Sequence, residues 1–260
     1  MMGIDRRGLI AVVENAPFQN EYRPMLENVR LRLRPQIFPL IHSIYVYGSV
    51  ASGRAISGCS DLDLSLVLRN PPSNRASIVI EEIRQEIEAA YPIASKVDFD
   101  IGVLQDILSA ETGVAWRYWL KHHCRCIAGD DLAEGIPLFR PSRTLALAVN
   151  GDFEQVLQRY QSRLAIAQPE AVVRRLVKEA ARKLIRSTNV LRKETDPDWP
   201  ETLEEYLTRF QRLFPAHGDR LLYFYEQAFT PDAALEDFSR RLQAFSGWMA
   251  RIVGENAQWP

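Results

Sequence analysis

IYVYGSVASGRAISGCSDLDLSLVL, residues 44–68, is the stretch from which the fold is read. An apolar run, Ile44 to Tyr47, leads into Gly48-Ser49. Eleven residues further on, Asp61-Leu62-Asp63 opens a second apolar run that continues to Leu68. Residues i and i+2 of a strand lie on one face, with a rise of about 3.3 Å per residue. Asp61 and Asp63 therefore point the same way on a strand that is otherwise apolar. Two carboxylates about 4 Å apart repel by roughly 4 kcal/mol at an effective dielectric near 20. A fold that holds them together needs a cation or a proton between them, and a divalent metal is the simpler answer.

A strand ending in Gly48-Ser49, a short spacer, then Asp61-x-Asp63 with Ser60 directly before the pair resembles the signature of the nucleotidyltransferase superfamily, the DNA polymerase beta-like fold. The resemblance implies an α/β domain with a small mixed sheet flanked by helices. Its chemistry asks for these residue types. Gly48 lets backbone approach a triphosphate closely, and Ser49 offers a hydroxyl and an amide to its oxygens, with Ser60 beside them. The segment after Ser49, VASGRA, is expected to open a helix whose first amides face the same anion, and Arg54 joins it if its loop folds inward. Asp61 and Asp63 are expected to hold Mg²⁺, one or two ions, which prefers hard oxygen ligands together with substrate phosphates. ATP or another NTP is the implied donor.

The family places a third carboxylate on a neighbouring strand. In Lys96-Val97-Asp98-Phe99-Asp100-Ile101-Gly102-Val103, apolar residues alternate with Asp98 and Asp100. Asp98 matches the family's basic-apolar-Asp pattern and is expected to complete the metal site or take the proton of the attacking hydroxyl. Asp100 lies on the same face and is the alternative.

Composition is that of an ordinary soluble globular chain, 47% hydrophobic and 25% charged. A net charge of −1 argues against a bulk electrostatic footprint for nucleic acid, though not against a local basic groove. No apolar run approaches the roughly eighteen residues of a membrane span. The N-terminus lacks the apolar core and cleavage site of a signal peptide. Three cysteines, Cys59, Cys124 and Cys126, are odd in number and fit a reducing cytoplasm. His122, His123, Cys124 and Cys126 suggest zinc, but adjacent histidines do not easily share an ion and no second Cys pair exists.

Helices are expected over residues 18–40, with Met25, Val29 and Leu31 or Leu33 apolar and Pro35 as breaker, over Ile78–Tyr91, and over Ile107–His123, whose aromatics read as core. A last strand is expected over Cys126–Leu132, where Gly129-Asp130-Asp131-Leu132 is similar to the end of the family's domain. Residues 137–143 make a boundary, dividing the chain into a nucleotidyltransferase domain, 1–142, and an all-α helical bundle domain, 143–260. The bundle's helices are expected over Val172–Lys193, Glu201–Leu213, Asp219–Phe229 and, with Thr230 as N-cap, Asp232–Val253. Their aromatics, Tyr206 to Trp248, suffice for a separate core.

On Val172–Lys193 a stripe of Arg175, Lys178, Arg182 and Arg186 is either a solvated face or a basic wall for triphosphate oxygens, with Arg182 and Arg186 as nucleotide contacts. The two-domain layout is similar to that of aminoglycoside adenylyltransferases, whose base is an acid on the strand of Asp98, although a Glu is typical there. This resemblance implies transfer of AMP to a hydroxyl of a small molecule such as an aminoglycoside. A tRNA or protein acceptor, or a non-catalytic nucleotide-binding protein, are the alternatives; the acid cluster speaks against the last, because idle buried charge is destabilising.

Overall fold

The computed structural model describes residues 3–34 and 38–256. They divide into two compact units, one of residues 11–139 and one in which residues 3–10 join those from 140 onward.

In the unit of residues 11–139 the order is α1 (Arg23–Leu33), β1 (Ile41–Tyr47), α2 (Gly48–Ala51), β2 (Leu62–Leu68), α3 (Asn74–Ala90), β3 (Val97–Val103), α4 (Leu104–Leu108), α5 (Val114–His123) and β4 (Arg125–Gly129). The strands form one mixed sheet in the order β3-β2-β1-β4. β1 is antiparallel to β2 and β4, whereas β2 and β3 run parallel, with α3 as the crossover that parallel pairing requires.

Alternation along β2 sorts the two faces. Leu62, Leu64, Leu66 and Leu68 are buried with Ile44, Val46, Met25, Val29, Leu33, Ile80 and Ile87, so α1 and α3 cover that side. Val67 and Tyr45 point the other way and pack with Ile107 and Leu120, with Trp116 and Trp119 against them. Of the α5 aromatics, Tyr118 is buried and Trp116 and Trp119 are partly buried against this core, in line with the packing role expected. On α1, Met25, Val29 and Leu33 recur every fourth residue and are buried, while Leu31 is exposed. Pro35 lies outside the described residues.

The helix expected over Ile107–His123 is two helices, α4 and α5. Gly113 sits so close to the Ile107 carbonyl that a β-carbon there would lie 2.2 Å from it. Arg117 then donates to the carbonyls of Ile107 and Ser109, which closes the turn. The last strand is shifted to Arg125–Gly129, because Asp131 Oδ1 accepts from the Ala133 N–H and starts a 3-10 turn over Leu132–Gly135.

The second unit is helical: α6 (Arg143–Asn150), α7 (Phe153–Ile166), α8 (Glu170–Ser187), α9 (Leu203–Leu213), α10 (Gly218–Gln227) and α11 (Leu235–Asn256). Its core joins Leu176, Ala180 and Leu184 of α8 to Phe210, Phe224, Phe238 and Phe245. Phe229, counted from the sequence among the core aromatics, is exposed. α8 stops at Ser187 rather than Lys193, since Ser187 and Thr188 hydroxyls bond back to the Lys183 and Ile185 carbonyls. α11 starts at Leu235 rather than Asp232, since Gln227 Oε1 accepts from the N–H groups of Asp232 and Ala233 and holds them in a loop. Residues 3–10, assigned from the sequence to the first domain, pair through an Ile4–Ile10 bridge, and Arg140 Nη1 donates to the Arg7 carbonyl. Among the described residues no helix is long and apolar enough to cross a membrane.

Candidate active site

The site lies at the end of β1, where Gly48 turns the chain with φ +72°. A β-carbon at Gly48 would stand 2.4 Å from Asp63 Oδ2, so the position requires glycine both for its conformation and for room. The helix expected after Ser49 begins at Gly48 itself and lasts one turn. It ends because Ser52 Oγ donates to the carbonyls of Gly48 and Ser49. Behind this turn, Arg125 Nη1 donates to the Ala51 carbonyl at 3.0 Å. The Gln19 amide clamps the Ala55 N–H and C=O, each at 3.0 Å. Ser60 Oγ accepts from the Ile56 N–H, which commits its lone pair to the loop. Arg54 donates to Ser52 Oγ within its own turn.

The sheet register assembles the acids. Asp63 is the partner of Tyr47 on β1 and of Asp98 on β3. Asp61, just before β2, accepts from Ser95 Oγ at 2.6 Å, and Lys96 pairs with Asp98 at 2.6 Å. Asp61, Asp63 and Asp98 each offer a carboxylate oxygen, all within 4.8 Å of one another. This is the single group among the described residues able to hold a metal. Asp100, two residues along the same strand face, stands outside it and accepts from the Tyr47 hydroxyl at 2.5 Å.

Burial raises the Asp63 carboxyl to about 7, and the charges of Asp61, Asp98 and Asp100 add to the rise, with Lys96 opposing it. Burial and Asp100 together push the Tyr47 phenol well above its usual range. A half-buried acid held against two others is stabilised by a cation in their midst. Three hard oxygen donors fit a cation such as Mg²⁺ and leave further coordination positions open.

The His/Cys segment is structural. His122 is buried; its Nε2 accepts from the Phe139 N–H at 3.1 Å, which leaves the proton on Nδ1 for the Ala11 carbonyl at 2.8 Å. Cys124 is buried, and burial pushes its thiol above its usual range.

Gly48, Ser49, Ser60, Asp61, Asp63 and Asp98 thus belong to one unit, whereas Arg182 and Arg186 stand on α8 of the helical unit, Arg186 exposed. Sequence reasoning missed Ser95, Gln19, Arg125 and Tyr47. Only Tyr47, adjacent to Gly48, carried a signal by position; Gln19 and Arg125 reach the turn from distant parts of the chain.

Residues 29–118 match the family model described as a nucleotidyltransferase domain. No curated protein sequence matches the chain significantly. Among solved structures, spectinomycin adenyltransferase AAD(9) from Enterococcus faecialis, crystallised with ATP and spectinomycin, matches at a TM-score of 0.56 and 15% identity. The match covers 88% of this chain and 99% of that one, and so takes in helical parts as well as the sheet. At that identity the likeness is one of fold.

Proposed function

We propose, from the premise that this chain is a nucleotidyltransferase, that it moves AMP from ATP, with magnesium, onto a hydroxyl of a small acceptor of the aminoglycoside class. The observation that carries the reading is the convergence of Asp61, Asp63 and Asp98 within 4.8 Å beside the Gly48 turn.

Asp61, Asp63 and Asp98 would hold the magnesium ion. Bound there, magnesium neutralises charge on the triphosphate and on the departing pyrophosphate. Gly48 gives the phosphates access to backbone, and Ser49 offers them its hydroxyl and amide. Ser60 serves the phosphates through its hydroxyl proton while its lone pair holds the loop. Asp98, half-buried in the group, orients the acceptor hydroxyl and draws its proton as the oxygen attacks the α-phosphorus in line.

For the acceptor, support comes from the fold shared with an enzyme whose crystal holds ATP and spectinomycin. The net charge of −1 also disfavours a long RNA partner. Free thiols at Cys59, Cys124 and Cys126 favour a cytoplasmic site of action. The nucleotide role of Arg182 and Arg186 rests on the sequence stripe alone. An unchanged KM for ATP in Arg186→Ala would remove Arg186 from it.

The test is incubation with α-labelled ATP and Mg²⁺ in a desalted cell extract supplemented with aminoglycosides and spectinomycin. Asp61→Ala is the control, and products are separated by size. Label in a small product is expected. Label in tRNA or protein would replace the acceptor class, and label equal to the control would refute transfer.

A further inference from the structure

We propose that Tyr47 is a positioning residue that holds Asp100 off the metal set, so that Asp98 alone of the two β3 acids completes it. The inference rests on the reading of Asp61, Asp63 and Asp98 as metal ligands.

Asp98 and Asp100 share a face of β3, and nothing in an alternating strand distinguishes them. The difference arises from β1. In the sheet order β3-β2-β1, Tyr47 and Asp100 are carried by strands two places apart, with backbones roughly 10 Å from each other. Only a long side chain crosses the intervening strand, and the Tyr47 phenol does so, ending 2.5 Å from Asp100 Oδ2. Its direction is set by packing. The ring meets Trp119 edge to face at 4.8 Å, and Trp119 Nε1 donates to Oγ of Ser65, the β2 register partner of Asp100. Tyr45, two residues earlier on the same face, is aimed elsewhere, its hydroxyl accepting from the Leu132 N–H. Packing on Trp119 thus fixes the ring whose hydroxyl reaches Asp100.

A carboxylate two residues from Asp98 and free to turn would be a fourth anionic ligand for a cation in the group. Mg²⁺ and Mn²⁺ at a nucleotide site need open positions for phosphate oxygens. A fourth carboxylate would strengthen metal binding in the empty protein and weaken binding of the metal–nucleotide complex. These two changes have opposite signs, which general loosening of the site would not produce.

The experiment titrates Mn²⁺ into the nucleotide-free protein, followed by loss of the free-ion EPR signal, for wild type, Tyr47→Phe, Asp100→Asn and the double variant. The KM for ATP is measured alongside. Tyr47→Phe keeps the ring on Trp119 and removes only the hydroxyl. It is expected to bind Mn²⁺ about tenfold more tightly, the scale of one hydrogen bond to a charged group, with a raised KM for ATP. The double variant should return both values to those of Asp100→Asn. Equal Mn²⁺ affinity in wild type and Tyr47→Phe overturns the proposal, as does a change that survives in the double variant. Wild type that binds no Mn²⁺ would overturn the metal reading first, a failure distinct from that of the Tyr47 clamp.

Discussion

Gly48 faces Asp63 at the distance where hydrogen fits and carbon does not: a β-carbon on Gly48 would lie 2.4 Å from Asp63 Oδ2. The Gly48 turn and the Asp63 carboxylate are thereby built as one unit. Gly48→Ala adds a left-handed conformation, which costs about 1–2 kcal/mol in an alanine, and displaces the carboxylate. Transfer should fall by roughly two orders of magnitude, as misplacement of a reacting group predicts, with a modest drop in melting temperature. A labelled-ATP assay and a thermal melt on the same sample separate the two effects.

At Asp63 the proposed role in metal binding and the stability of the metal-free protein pull in opposite directions. Its folded-state value of about 7 lies above the ordinary 3.8, so the native state binds the proton more tightly than the unfolded chain does. Stability from this group is present at low pH and is lost as pH rises from about 4 through 7. In metal-free buffer at pH 8, Asp63→Asn should be the more stable protein by roughly 2 kcal/mol, and inactive. Melting curves of both proteins across pH, in chelator, test the sign.

Magnesium should reverse that penalty. A ligand that binds only the folded protein raises its stability by mass action, so adding Mg²⁺ at pH 8 should raise the wild-type melting temperature and leave Asp63→Asn nearly unmoved. Equal shifts in the two proteins would place the ion elsewhere.

His122 ties the chain near Ala11 to that near Phe139 through its two ring nitrogens. His122→Ala should cost roughly 2–4 kcal/mol, from two lost hydrogen bonds and a cavity in the core. Purified wild type should carry no stoichiometric zinc by elemental analysis, and a zinc chelator should leave its melt unchanged.

In the helical unit Arg209 is buried, with Asp198 at 2.9 Å and Asp196 also paired to it. Arg212 takes the second oxygen of Asp198. Arg209→Met leaves buried carboxylate charge under-compensated and should destabilise by about 3–5 kcal/mol. Arg212→Met, at an exposed position, should cost under about 1 kcal/mol by chemical denaturation.

The acid-bearing strand, the Gly48-Ser49 turn and the switch to helices beyond residue 143 were legible because each depends on local chemistry. Period-two alternation, a glycine where φ must be positive, and period-3.6 apolar stripes are properties of short segments. Where helices end was less legible. The break at Ser109–Gly113, the stop of α8 at Ser187 and the late start of α11 come from particular bonds made by Arg117, Ser187 and Gln227. No periodicity records them.

By itself, the sequence determined which residue types lie on which face of each strand, and so that Asp61 and Asp63 share a side and that Asp98 and Asp100 share another. Tertiary structure decided which acids meet. The parallel register of β2 on β3 sets Asp63 against Asp98, and the reach of Tyr47 from β1 occupies Asp100. Alternation specifies a direction for a side chain but not its neighbour across the sheet. That neighbour is set by strand order and register, which the buried leucine face of β2 holds in place.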